Sequence, residues 1–572
     1  MKYRALVLAS FLALPACGGD GTTSGSGGSG NGSGTGGDAT GGGGAGGAPG
    51  LSAPTAVIQV ERATPLVVSL DGSASSDEDG TVVGHHWDFG DGSTGEGALV
   101  EHSYAAPGCY DVTLEVTDDD GLTGEATRTT RVIATTAGDA TAFALTGLPK
   151  PGAVLPRDLA EGVGYAHLGG QASAVDYETL VARVHRDTEL VAEVAVDLCG
   201  AAELDVPVPA ELASHRLEVV LSGLGEELAL GEADDVVAGD VYLVNGQSNA
   251  VSAEYQGSAD ENLSPFVRSF GARTEDVTQH LNDDDWHPAA STGVTGAVGQ
   301  WPLRMAAQLS SAQAIPIAVI NGARGGVPIG YFARNDADHT DPTTNYGRLL
   351  DRAERAGVIG GIRAILFYQG ESDGPDATAH HDGFTTLYGH WQEDFPGLEQ
   401  HYITQIRVGC GGQIETREAQ RQLAHELERT AIMSTTGLDA HDGCHFGYAE
   451  GYRELGDRYA NLLLRDLYGV AASDVEAVDV TTATLMGDSI VVETASDATA
   501  LVVDAGVEAF FQTYGGDRPV AAVAANGSQL VLTLGPGNTA PSEVAFVGHS
   551  GAGPWVLNAG GVGLLAFRIA VQ

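Results

Sequence analysis

Three apolar runs in the middle of the chain each end in a string of small polar residues. DVYLVNG passes into Gln247-Ser248-Asn249, IPIAVING into Ala323-Arg324-Gly325-Gly326, and IRAILFYQG into Glu371-Ser372-Asp373. Short unbroken apolar runs fit strands buried on both faces, the kind found in parallel sheets covered by helices. Helical patterns lie between and after them: WPLRMAAQLSSA, TNYGRLLDRAERAG, REAQRQLAHELERT and YAEGYRELGDRYANLLLRDLYG. This alternation predicts an α/β domain with a parallel sheet over residues 237–470. In such open sheets, sites form outside the carboxyl ends of the strands. The polar strings sit there.

At 572 residues the chain is too long for one core. Residues 1–17 carry basic Lys2 and Arg4, then a short apolar run, and read as a secretory signal. Leu14-Pro15-Ala16-Cys17 resembles a bacterial lipobox, which makes Cys17 the lipidation candidate; ordinary signal cleavage is the alternative. The expected location is therefore the bacterial cell envelope, at the outer surface or in the periplasm. Membrane contact is expected through the N-terminal lipid only, since no later segment is long and apolar enough to span a bilayer. Residues 18–52 are a Gly/Ser-rich linker. Short alternating runs broken by Asp-Gly turns predict β-domains at 53–136, 137–236 and 471–572. DYETLVARVHRDTEL stays open between helix and strand. The net charge of −48 argues against nucleic acid as a partner.

A serine hydroxyl is a poor nucleophile unless a base lies within hydrogen-bond reach and an acceptor orients that base. Asp442 and His445, three residues apart in HDGCH, can present a carboxylate and an imidazole from one loop. Asp442 would accept from one ring nitrogen of His445, leaving the other to take the proton of Ser248. The Gly-x-Ser-x-Gly elbow of α/β-hydrolases is missing. The four blocks over residues 240–468, Gly246-Gln247-Ser248-Asn249 with those at 321–326, 368–373 and 442–445, resemble an SGNH hydrolase of the sialate O-acetylesterase and family-six carbohydrate esterase branch. The resemblance implies a flavodoxin-like parallel α/β/α sandwich and hydrolysis of acetyl esters on glycans. By position it makes Ser248 the nucleophile, His445 the base and then acid, and Asp442 the orienter. The implied oxyanion hole uses the backbone N–H of Ser248 and of Gly326, or of Gly325 if the register shifts by one, with the Gln369 amide as third donor. No metal and no organic cofactor are implied. Trp87-Asp88-Phe89-Gly90-Asp91-Gly92 resembles the motif of a PKD-type β-sandwich, with Trp87 and Phe89 as core.

Other features remain open. Asp439, His441, Asp442, Cys444 and His445 can also be read as a metal cluster, although zinc patterns are spaced differently. The Asp118–Gly121 run reads as a Ca²⁺ loop or an acidic turn. Four cysteines beyond Cys17 allow three pairings, of which Cys410 with Cys444 is favoured because the two share a domain. Arg324 is a candidate for a sugar carboxylate or for a surface acid. Glu371 and Asp373 read as supporting or turn residues, and His380-His381 as a solvated loop. Tyr331, Phe332 and Trp286 are candidates for a sugar site or for the core. The leading function is a carbohydrate O-acetylesterase acting on an acetylated glycan. The alternatives are a polysaccharide-binding lipoprotein with an inactive hydrolase domain, and an esterase for a non-carbohydrate ester.

Overall fold

The computed structural model describes residues 51–133, 143–172, 177–439, 441–495, 500–549 and 551–572. The expectations for the signal, for Cys17 and for nearly all of the linker lie outside these residues. From 59 to 132 a three-stranded and a four-stranded antiparallel sheet face each other. Trp87, Phe89, Val112, Leu114 and Val116 fill the space between them. Asp118 Oδ1 accepts the backbone N–H of Asp120 at 3.0 Å and of Leu122 at 2.8 Å, so the acidic run folds as a turn. The Cys109–Cys199 disulfide joins this sandwich to the next one. In that second sandwich DYETLVARVHRDTEL supplies the strand Thr179–Arg186, with Leu180, Ala182 and Val184 in the core.

The strand that follows, β1 (Glu226–Gly246), belongs to two sheets. Its first part pairs antiparallel with His215–Gly223 in the sandwich. Its second part pairs in parallel with β4 (Ile317–Asn321) and β5 (Ile362–Tyr368). The boundary expected between residues 236 and 237 thus falls inside a continuous strand. Every residue from Val236 to Gly246 is buried, which is why the sequence there is almost wholly apolar; the buried Asp240 is met by Arg157 and Arg363, each at 2.8 Å.

The parallel sheet runs β7-β6-β5-β1-β4-β2, with β2 (Val267–Phe270), β6 (Gln400–Thr404) and β7 (Thr430–Met433); β3 (Trp286–Pro288) adds an antiparallel edge. Alternate residues of β1 face opposite ways. Tyr242 and Val244 pack with α3 (Gln300–Gln313) and α7 (Arg453–Tyr468) through Trp301, Leu309 and Tyr459. Val241 and Leu243 pack with α4 (Asn345–Arg355) and α5 (Ala377–Asp394) through Leu349, Phe384 and Trp391. The domain is an α/β/α sandwich flanked by β-domains. Trp286 and Phe332 belong to this core. Helix α5 replaces the loop expected around His380-His381: His380 is buried and pairs with Asp373 at 2.7 Å, and His381 pairs with Glu426. Thr and Gly dilute the helical signal of α5, yet its buried face, His380, Phe384, Leu387 and Trp391, has helical spacing.

Residues 478–571 form three small sheets around one core. They grip the α/β domain through arginines that donate to backbone carbonyls, Arg417 to Val547 at 2.5 Å and Arg458 to Gly561 at 2.8 Å.

Gly246 ends β1 with φ +127°, and a Cβ there would lie 2.2 Å from the Tyr368 carbonyl oxygen. That carbonyl accepts the Gln247 N–H at 2.8 Å, so it cannot retreat without losing the turn. Gly246→Ala is expected to destabilise the fold by about 2 kcal/mol or more, read as a lower denaturation midpoint.

Candidate active site

Gly246, which ends β1, and the three residues after it each make a different connection. Gly246 allows close approach to β5. The Gln247 side chain accepts the N–H of Ser372 at 3.1 Å and of Gly370 at 3.4 Å, binding the ends of β1 and β5 together. Ser248 starts the single turn α1 (Ser248–Val251) and lines a cavity of about 510 Å³. Asn249 is buried, and its Nδ2 donates to Glu371 Oε1 at 2.8 Å and to the Cys444 carbonyl at 3.1 Å. Its Oδ1 accepts the Tyr452 hydroxyl at 2.8 Å. One amide therefore ties the serine turn to the third block and to the loop that carries Asp442 and His445.

In that loop Asp442 Oδ1 accepts the backbone N–H of Cys444 at 2.8 Å and of His445 at 2.6 Å. Its Oδ2 lies 3.8 Å from His445 Nδ1, within ion-pair range but longer than a hydrogen bond. Burial works against the Asp442 carboxylate, but the two backbone donors and the neighbouring imidazoles outweigh it and hold the group below its ordinary value. Burial lowers His445 despite the attraction of Asp442, so the imidazole is neutral at neutral pH. The Tyr255 ring stacks on the His445 ring at 4.0 Å and 12° and also lines the Ser248 cavity. The structure thus brings the neighbours of Ser248 and His445 into contact, and no Ser248–His445 hydrogen bond is formed.

The second block folds over the serine. The Arg324 N–H donates to the Gly246 carbonyl at 2.9 Å. A Cβ on Gly325 would sit 3.5 Å from the Ser248 Cβ, whereas Gly326 has φ +74° and faces open space. Among the described residues, the N–H groups of Ser248, Gly325 and Gly326 have no backbone acceptor. Gln369 is placed differently from its expected role as an oxyanion donor. It is fully buried, and its Nε2 donates to Asp373 Oδ1 at 3.1 Å and to the Val327 carbonyl at 3.3 Å. That commits both amide hydrogens, one to Asp373 in its own block and one to the end of the glycine loop. Glu371 is buried under Asn249, and burial pushes its carboxyl up to about 7. Arg324 pairs with Glu275 at 2.8 Å.

Cys410 and Cys444 are joined, which removes Cys444 as a thiolate ligand and pins the histidine loop to the segment after β6. His441 faces inward too: its Nδ1 accepts the Gly443 N–H at 3.0 Å, and burial, with Arg407 nearby, lowers it to about 4. The metal reading of this loop therefore loses its cysteine, and His441 is spent on the turn. Ligand-type side chains also gather at His339, Glu393 and Asp394, where Arg334 already pairs with both acids. A support that the sequence did not announce is Arg407. Its guanidinium lies between the rings of Phe446, at 5.4 Å, and Trp555, at 5.3 Å. It donates to the carbonyls of Leu438, His549 and Gly551, clamping the base of the histidine loop to the C-terminal β-domain.

Asn249→Ala takes away the acceptor of the Tyr452 hydroxyl and the donor to the Glu371 carboxylate and the Cys444 carbonyl, at about 1–3 kcal/mol for each buried group left unsatisfied. It is expected to lower the melting temperature and to reduce turnover more than substrate affinity, measured by thermal denaturation and steady-state kinetics. Cys410→Ser with Cys444→Ser is expected to lower kcat and to leave the secondary-structure content unchanged, checked by kinetics beside circular dichroism.

Two family models match the chain: the PKD domain over residues 51–134, and the family described as carbohydrate esterase, sialic acid-specific acetylesterase, over residues 238–465. A solved carbohydrate acetylesterase from Xanthomonas citri has a similar fold, with a TM-score of 0.54 at 20% identity over 75% of this chain and 99% of that one. Among curated proteins, a microbial collagenase of Vibrio alginolyticus is 30% identical over 215 residues, 36% of this chain and 24% of that protein. The pre-pro-metalloprotease PrtV of Vibrio cholerae is 51% identical over 49 residues, 9% of this chain and 5% of that protein. The chain spans a quarter or less of the length of these curated relatives. Residues 238–465, the sheet whose strand ends carry Ser248 and its partners, belong to the sialic acid-specific acetylesterase family of carbohydrate esterases, and residues 51–134 to the PKD domains.

Proposed function

We propose that the α/β domain is a serine esterase that removes acetyl groups from glycan hydroxyls, with Ser248, His445 and Asp442 as its catalytic residues. The observation that carries this reading is the convergence at Asn249, whose amide bonds the loop of His445 directly to the turn of Ser248. In the first half-reaction Ser248 Oγ attacks the acetyl carbonyl while His445 takes its proton. The oxyanion is met by the free N–H groups of Ser248 and of Gly325 or Gly326. His445 then protonates the departing sugar oxygen, and the C–O ester bond breaks. In the second half, water gives a proton to His445 and attacks the acetyl-serine, releasing acetate and restoring the hydroxyl. Asp442, held ionised, stabilises the imidazolium in both halves. Tyr255, stacked flat on the ring, limits its rotation. The 3.8 Å gap at Nδ1 closes by a small rotation, since hydrogen bonds of this kind often tighten only with substrate in place.

Two disulfides suit an oxidising compartment. Together with the PKD domain and relatives named as a collagenase and a metalloprotease, they support an extracellular site of action. A lipid on Cys17 would hold the enzyme to the envelope.

Hydrolysis of 4-nitrophenyl acetate by the full chain tests the reading. Ser248→Ala should lower kcat by roughly 10⁴-fold or more with the fold intact. Unchanged turnover in that variant rejects the mechanism. Because His445 must be neutral to act as base, kcat/KM should fall on the acid side with an apparent pKa below the ordinary histidine value. A pH–rate profile checks this.

A further inference from the structure

Tyr255 reaches His445 from the serine side of the site. It follows α1 and the left-handed turn at Ser252, where φ is +40°. The chain around it is held on both sides. The Ala253 carbonyl accepts Gln300 Nε2 at 2.8 Å, and the Gln256 carbonyl accepts the Tyr448 N–H at 2.7 Å. The Tyr255 side lies over His445 with ring centroids 4.0 Å apart and planes 12° from parallel. Burial and the Asp442 carboxylate push the phenol up, so the ring is uncharged at neutral pH.

Two neutral rings gain little from lying parallel and so close. They prefer an offset or edge-to-face arrangement with centroids about 4.5–7 Å apart. A cation over the same ring face is attracted by the ring quadrupole. In the resting site burial keeps His445 neutral although Asp442 lies 3.8 Å away. Once it takes the Ser248 proton it is an imidazolium. The contact is therefore stronger after the proton has moved than before, and only interactions that strengthen in this way accelerate a step. The other titratable groups around His445 do not supply the same contact. Asp442 faces Nδ1 from the same loop. His441 is neutral, lowered to about 4 by burial and by Arg407, and Arg273 acts on the Tyr255 phenol.

We propose that the face of the Tyr255 ring stabilises the imidazolium that His445 becomes in each half-reaction. This inference rests on the esterase reading and adds to it a positioning residue that acts through His445. It gives loss of the ring a distinct signature. Where His445 is protonated before the reaction starts, the ring stabilises the starting state and the transition state alike, and its removal changes nothing. Where His445 starts neutral, only the transition state loses. Removal therefore lowers the high-pH plateau of kcat/KM and moves the acid limb to lower pH, while rates below that limb stay native. Damage to the serine turn or to the histidine loop lowers every rate equally.

The experiment follows kcat/KM on 4-nitrophenyl acetate against pH for the native full chain, Tyr255→Phe, Tyr255→Leu and a chain with a ring-fluorinated phenylalanine at position 255. Leucine keeps an apolar cover over His445, and fluorine drains the negative ring face while keeping its shape. Tyr255→Phe should match the native chain within about twofold. Tyr255→Leu should lower the plateau about three- to tenfold and the apparent pKa of the acid limb by about half a unit to one unit. The fluorinated chain should fall between these two. If Tyr255→Leu fails to fold, the fluorinated chain against Tyr255→Phe decides. An equal loss at every pH, an unchanged plateau, an acid limb that moves up, or a fluorinated chain equal to Tyr255→Phe overturns the proposal. With Ser248→Ala inactive, each of those results leaves the esterase reading standing. An inactive native chain, or a Ser248→Ala variant as active as the native one, removes both.

Discussion

A single side-chain amide, that of Asn249, holds the candidate site together. The serine, the glycine loop and the histidine loop come from segments with no helix or strand in common, so something must fix their relative positions. Asn249 donates to Glu371 and to the Cys444 carbonyl and accepts from Tyr452, which engages three parts of the chain at once. A buried network of this kind stabilises only when every member is satisfied. Glu371 shows the tension: one oxygen holds Asn249 while the other has no partner among the described residues. Around this centre Gln247 and Gln369 act in the same manner, one tying strand ends and the other the glycine loop. The amides near Ser248 position the chemistry, while the backbone donors are left free for it.

How far the sequence could be read depended on how local each signal was. The strands ending at Gly246, Asn321 and Tyr368 are buried on both faces and therefore spell nearly continuous apolar text, broken by Asp240 and Arg363, which pair with each other. The polar strings at their ends were legible as chemistry for the same reason. Helix α5 was not, because Gly383, Gly389 and three threonines mask its period. Strands β2, β6 and β7 span only four or five residues, too few for a pattern. The role of Gln369 depends on a contact with Val327, forty-two residues away, and that of Arg407 on a domain that begins seventy residues later.

The arginines also show how a strongly acidic chain spends its few cations. Arg352, Arg407, Arg417 and Arg458 are all buried and donate mainly to backbone carbonyls. Burial lowers each of them, Arg352 to about 9 and Arg407 and Arg417 to about 10. A planar fork can satisfy several carbonyls where loops from different domains meet. The C-terminal β-domain is fastened to the histidine loop by this means, with little help from surface ion pairs.

The strand from Glu226 to Gly246 has a mechanical consequence. Because it crosses from the second β-sandwich into the parallel sheet without a hinge, the sandwich serves the hydrolase as a rigid handle. The Cys109–Cys199 bridge extends that handle into the PKD domain. Any tension applied to the outer domain travels along covalent bonds and ladder hydrogen bonds to the residue before Gln247. The position of Ser248 is therefore coupled to the far end of the chain of β-domains.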